Sequence, residues 1–359
     1  MVKKRTTLSP EEIVKRIESE NPENFKQEEE TADEQEQQQE EDDKTSSVPF
    51  NARGVYKDEN GNYKLEEKKP VSEQQETLTN NMLAGYKIIP TEQLPSRGLF
   101  YKDDFHIGIK AAKVGEIREW SVIDENDPLS ISEKINMIME RCVRVSSSSG
   151  IMTWGDICEL DRTFILIRLH ELTFPDGENS LMIPFKCDGC GHETQLPLSS
   201  AMCNGLFNPS DAIMKFYDAD QRCFIIRSDK LPEPIALYPP TLGVSNIVQK
   251  KAQQMRMEGI TDDPNMKESM IRCLQFFMPN WRQWTDEKFG RFNMNMLNWS
   301  NYKFQVINWF INEFNKCNKL NAVTNCERCG EEVSHPIFFR GGFGLKEFFC
   351  ISFNPDELY

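Results

Sequence analysis

Nowhere in this sequence do 18 apolar residues follow one another, so no ordinary transmembrane helix is expected. No apolar stretch follows the basic start from Met1 to Arg5 either, so the reading is of a chain without a secretory leader, in a reducing intracellular setting. Histidine is scarce, with four residues, and His106 and His170 stand apart from any nucleophile. The chain has no GxxxxGK[ST], HExxH or GxSxG, and no GxGxxG after a strand. These absences predict a protein that is not an enzyme. Clustered Lys and Arg are missing too. A net charge of −15 disfavours a broad nucleic-acid surface, which must displace counterions from phosphates, and points to proteins as partners.

What is present is unevenly distributed. Residues 1–80 hold 12 Lys/Arg and 21 Asp/Glu, which is −9 of the total, and from Glu28 to Asp43 the chain is almost wholly Glu, Gln and Asp. Such a stretch cannot bury enough apolar surface to offset the entropy of ordering, so residues 1–84 read as a disordered acidic N-terminal tail. Within it, Ser9-Pro10-Glu11-Glu12 before Ile13, Val14 and Ile17 carries a helix-start signature. Residues 85–359 hold all six Trp and read as one α+β domain with a helical insertion at about 242–320.

Periodicity predicts strands at 86–90, 106–109, 223–226 and 235–238, and an amphipathic helix over 130–143 with Ile131, Ile135, Ile138 and Met139 on one face. A second helix is expected over 154–170, with Asp156, Glu159 and Asp161 as charges near its N-terminus. A hairpin is expected from 172–174, through Pro175-Asp176-Gly177, to 181–185. The last helix, 300–316, should bury Phe304, Ile307, Phe310, Ile311 and Phe314. Short strands follow at Val323 and 337–340, then a Gly-rich joint and an aromatic end. Residues 95–101 and 343–353 are hinged by Pro or Gly, and their Phe100, Tyr101, Phe348 and Phe349 are candidate anchors for a partner.

The sharpest signal lies in the cysteines. Cys187-Asp188-Gly189-Cys190-Gly191 and Cys326-Glu327-Arg328-Cys329-Gly330 share the form CxxCG, with 135 residues between the pairs. A tight turn of this kind aims two thiolates at one point, and the glycine after the second cysteine supplies a positive φ. One such knuckle offers two ligands and structural zinc takes four, so Cys187, Cys190, Cys326 and Cys329 are expected to hold one structural zinc ion if the fold brings them together. Two redox pairs, or simply packed thiols, are the alternatives; redox cysteines sit where a strand enters a helix, whereas these sit in hairpins. His192 and His335 are substitute ligands at most and read as surface residues. Cys142, Cys158, Cys203, Cys223, Cys273, Cys317 and Cys350 lie in apolar contexts and read as core.

Three features together carry a resemblance: the segment Leu94-Pro95-Ser96-Arg97-Gly98-Leu99-Phe100-Tyr101, the Asp161-Arg162 helix with its apolar run, and the hairpin leading into the first CxxCG. Over about residues 88–198 the chain resembles the baseplate hub and hub-assembly proteins of contractile-tailed bacteriophages of the T-even type. That resemblance implies a structural or assembly protein, working by contact with other tail or baseplate hub proteins in the host cytoplasm during assembly, with the tail baseplate of the virion as the alternative location. The long acidic tail and the helical insertion depart from the pattern. The alternative is a zinc-ribbon protein of transcription or nucleic-acid handling, where split CxxC pairs are common; the lack of a Lys/Arg patch around 187–198 weighs against it.

Overall fold

The computed structural model describes residues 55–57, 63–65, 83–124, 127–175, 182–204, 207–257, 272–317 and 320–337, all inside the unit Arg53–Tyr359. The helix expected at Ser9, the acidic run from Glu28 to Asp43, Cys350 and the aromatic end with Phe348, Phe349, Phe353 and Tyr359 lie outside these residues. The architecture mixes helices with small antiparallel sheets. Among the described residues no helix is long and apolar enough to cross a membrane.

The first sheet pairs β1 (Val55–Lys57) with β2 (Tyr63–Leu65). It falls inside the stretch expected to lack structure. Asn60-Gly61 in the connection is a hairpin-forming pair, a local signal that average composition conceals. Next, β3 (Lys87–Ile89), β4 (His106–Ile109) and β5 (Val143–Ser146) form an antiparallel sheet in that order. Between β4 and β5 run α1 (Val114–Trp120) and α2 (Pro128–Cys142). The three-and-four spacing of α2 buries Ile131, Ile135, Ile138 and Met139, as the periodicity predicts.

The helix expected over 154–170 is broken. Two short 3-10 turns, Trp154–Asp156 and Glu159–Asp161, precede α3 (Arg162–Thr173). Between them the backbone is claimed by a distant segment. Cys158 bridges Thr241, Glu159 N–H donates to the Pro240 carbonyl at 2.8 Å, and Leu242 N–H donates to Ile157 at 2.8 Å. Those bonds hold Ile157 and Cys158 extended and postpone the helix to Arg162. Helix α3 then runs through Leu172 and Thr173, so these residues are not the first strand of the expected hairpin. Phe174 N–H bonds to the His170 carbonyl at 2.9 Å, which commits the groups a strand would have needed. Instead β6 (Met182–Lys186) pairs with β7 (Glu193–Pro197) across the first cysteine pair.

After β8 (Cys203–Asn204) and the short α4 (Asp211–Met214), the sheet β11-β10-β9 is built from β9 (Tyr217–Asp218), β10 (Cys223–Ile226) and β11 (Ile235–Leu237). Helices α5 (Leu242–Met257), α6 (Asp286–Leu297) and α7 (Asn301–Lys316) follow, then β12 (Asn321–Asn325) and β13 (Glu332–Pro336). The last strand lies just before the expected 337–340, because its register across the second cysteine pair matches Asn325 with Glu332.

The core is aromatic. Phe314 of α7 lies 5.0 Å from Phe207 and 5.3 Å from Phe276, and Phe310 lies 4.9 Å from Phe224, ring centre to ring centre. Phe100 enters the same group, 5.5 Å from Phe207 and 6.1 Å from Tyr217. A second cluster holds Val244, Val248, Leu274, Met278 and Phe289 together. Beside it the Trp281 ring lies against Gly155 and Gly243; a Cβ on either would fall 2.6–2.7 Å from the indole.

Candidate metal centre

Each cysteine pair sits at the tip of a hairpin, and the two tips have the same hydrogen bonds. In the first, Cys187 N–H donates to the His192 carbonyl at 2.9 Å and Gly191 N–H donates back to Cys187 at 2.9 Å. In the second, Cys326 N–H donates to Glu331 at 2.7 Å and Gly330 N–H donates back to Cys326 at 2.8 Å. The glycines that close the turns have φ of +65° and +76°, a region that costs a residue with a Cβ about 1 kcal/mol or more. This is the local reason for CxxCG: the strands set the direction, and the glycine lets the chain turn back behind its own thiolates.

The fold brings the two knuckles face to face. Cys187 Sγ lies 3.5 Å from Cys329 Sγ, and Cys190 Sγ lies 3.6 Å from Cys326 Sγ. All four sulfurs fall within 4.8 Å of one another, and among the described residues this is the cluster of metal-ligating side chains that forms. A tetrahedron with metal–sulfur bonds of about 2.3 Å has sulfurs about 3.8 Å apart, so the four thiols have the spacing a tetrathiolate metal site requires. Cys187 and Cys326 are buried and Cys329 is exposed. Backbone N–H groups of Cys329 and Arg328 lower the Cys326 thiol to about 6, whereas at Cys329, against the Glu331 N–H, the neighbouring Cys187 and Cys190 thiols push the other way, to about 12, so the proton affinity of the cluster is unevenly shared.

Long-range pairing delivers the second knuckle to the first. Strand β12 lies between β13 and β8, with Ala322 opposite Cys203 and Asn321 opposite Asn204. Thus the chain leaving the first hairpin is the chain on which the second is laid down. That exit is pinned to α3: Glu171 accepts from the N–H and hydroxyl of Ser200 at 2.5 and 2.8 Å, and Arg168 donates to the same hydroxyl at 2.9 Å. The Glu331 carboxylate crosses from the second knuckle to the first, 3.8 Å from Cys187 Sγ and in the space a side chain at Gly189 would fill.

The imidazoles of His192 and His335 are not part of the four-residue cluster. Cys142, Cys158, Cys223 and Cys273 are buried as expected, while Cys203 and Cys317 are only partly covered.

A second constellation was not anticipated. Asp161, read as a helix N-terminal charge, is fully buried and accepts from the Ser96 N–H and hydroxyl, both at 2.7 Å, and from the Tyr101 hydroxyl at 2.5 Å. The Tyr101 oxygen in turn accepts from Cys158 N–H at 2.9 Å. Burial pushes the Asp161 carboxyl up, to about 6, against the opposing pull of the Tyr101 and Ser96 hydrogen bonds. Residues 94–101 are therefore wrapped round Asp161. Arg97 and Gly98 both have positive φ in the bend, Leu99 N–H bonds back to Ser96, and Arg222 donates to the Tyr101 carbonyl at 2.6 Å. Tyr101 is buried and Phe100 is half-buried among the chain's own rings, so these two are core residues and not the partner anchors expected of them. Asp161 does stand at the N-cap of α3, but its side chain caps nothing there and turns instead to Ser96 and Tyr101, 65 and 60 positions earlier in the chain.

No family model, curated protein or solved structure matches this chain.

Proposed function

We propose that this chain is a structural or assembly protein of the baseplate hub of a contractile-tailed phage, that Cys187, Cys190, Cys326 and Cys329 hold one zinc ion, and that the protein works by stoichiometric contact with other hub proteins. The observation that carries the metal reading is the convergence of two matched knuckles, 135 residues apart in the chain, on one point. Thiolates are soft ligands, and four of them in a tetrahedron suit zinc. Four protein ligands leave no position for water or substrate, so the ion would contribute folding energy and polarise nothing.

Support for the hub reading comes from the segments that carry the resemblance. Residues 94–101 and Asp161 are one hydrogen-bonded unit in the fold, so two of its three elements act together structurally. The setting this reading implies is the host cytoplasm during tail assembly.

The test combines metal analysis of the purified chain with co-expression beside neighbouring tail proteins. One zinc per chain and a stable complex with a hub component are expected. A metal-free folded chain would overturn the zinc reading, and failure to capture any hub component would overturn the assembly reading.

A further inference from the structure

The four sulfurs of the centre differ in access. Cys187 and Cys326 are buried, Cys190 is partly covered, and Cys329 is exposed. Cys329 is therefore the thiol that a solute in water reaches first. Around the tips the sequence places Asp188, Glu193, Glu327, Glu331 and Glu332 against Lys186 and Arg328, and Lys186 is taken up by Glu193 at 2.8 Å. Little positive charge is left to neutralise a tetrathiolate centre, which keeps its sulfurs electron-rich. Finally, the sulfur 3.5 Å from Cys329 belongs to the opposite knuckle, at Cys187.

Resting on the zinc reading above, we propose that Cys329 is an oxidation site for hydrogen peroxide, resolved by Cys187 into a disulfide that joins the two hairpins as the metal leaves. The Cys329 thiolate attacks one peroxide oxygen, the S–O bond forms, the O–O bond breaks, and hydroxide departs to be protonated. The Cys187 thiolate then attacks the Cys329 sulfenic acid, forming the S–S bond and expelling the second hydroxide. Two thiolates lose two electrons in all and the peroxide is reduced to two waters. The remaining pair, Cys190 and Cys326, is half a ligand set and releases the ion. Because the new bond runs between knuckles, the β6–β7 hairpin stays tied to the β12–β13 hairpin: a metal staple becomes a covalent one.

Hydrogen peroxide added to the zinc-loaded full chain tests this, with released zinc read by a chelating dye and cysteine states read by peptide mass mapping. Brief exposure with dimedone present should label Cys329 before the other three ligands. Longer exposure without it should release zinc in step with a Cys187–Cys329 disulfide that dithiothreitol reverses. Cys329→His, which retains a fourth ligand, should keep its zinc through the same exposure, and Cys190→His should still form the cross-link. A first disulfide inside either knuckle, or one between Cys190 and Cys326 with Cys329 still a thiol, would overturn the inference and leave the zinc reading intact. Absence of zinc from the untreated chain would overturn both.

Discussion

Asp161 has its carboxylate fully out of water and in contact with three donors, and that environment predicts a pH dependence with a definite sign. Its folded pKa, about 6, lies above its ordinary value of 3.8, so the folded chain binds a proton more tightly than the unfolded one. The contribution to stability is therefore fully present below about pH 4 and is lost as the pH rises through 6. A two-unit displacement corresponds to about 3 kcal/mol across that window. Urea midpoints at several pH values should show wild type gaining stability, relative to Asp161→Asn, as the pH falls from 7 to 4. Parallel curves for the two proteins would show that the carboxyl is not the titrating group. Removing the acceptor altogether is a different matter: Asp161→Ala leaves the Ser96 and Tyr101 donors buried without it and should cost about 3 kcal/mol at neutral pH. Phe100→Ala, which empties a site among Phe207, Tyr217, Phe224 and Phe314, should likewise lower stability, by about 3 kcal/mol.

Two kinds of glycine at the scale of the element give opposite expectations for the same change. Gly191 and Gly330 hold positive φ at the knuckle tips, so Gly191→Ala and Gly330→Ala should each destabilise by about 1–2 kcal/mol and loosen metal retention. Gly290 lies exposed inside α6 with open space where a Cβ would go, so Gly290→Ala should stabilise by about 0.5–1 kcal/mol. Thermal melts of the three variants suffice, and a stabilised Gly330→Ala would contradict the knuckle geometry.

The same contrast shows what could be read in advance. Helix α7 was legible because its determinants are local: the Ser300 hydroxyl accepts from Lys303 N–H at 3.2 Å, and Ile307, Phe310, Ile311 and Phe314 recur at helical spacing. The two cysteine turns were legible for a similar reason, since CxxCG encodes its own turn. The break at Ile157 and Cys158 was not, because its cause is backbone pairing with Pro240, Thr241 and Leu242, far along the chain. Asp161 sits at the helix start as its spacing predicts, but its burial was not legible, because its partners Ser96 and Tyr101 lie far back in the chain.

Over the whole molecule, the aromatic core and the cysteine centre are separable sources of order. The core draws on Phe207, Phe224, Phe276, Phe310 and Phe314, none of which belongs to either hairpin tip. On the zinc reading proposed above, a chelator should therefore abolish hydrogen-exchange protection at Cys187, Gly191, Cys326 and Gly330, whose N–H groups close the knuckles, while amides of α7 and β10 stay protected. Global loss of protection would mean that the centre and the core unfold as one unit.

The separation of the two knuckles also sets a schedule for synthesis. Cys190 is made 139 residues before Cys329. At ribosomal speeds the interval is on the order of ten seconds, during which the first knuckle can offer only half of a coordination shell. A nascent chain therefore passes through a stage in which two thiolates point at a place that nothing else in the chain can yet complete. Metal supply should accordingly matter most while the protein is being made. A chelator present during translation should depress the soluble, folded fraction more than the same chelator added after the chain has been released, and pulse-labelled samples from the two regimes would measure the difference.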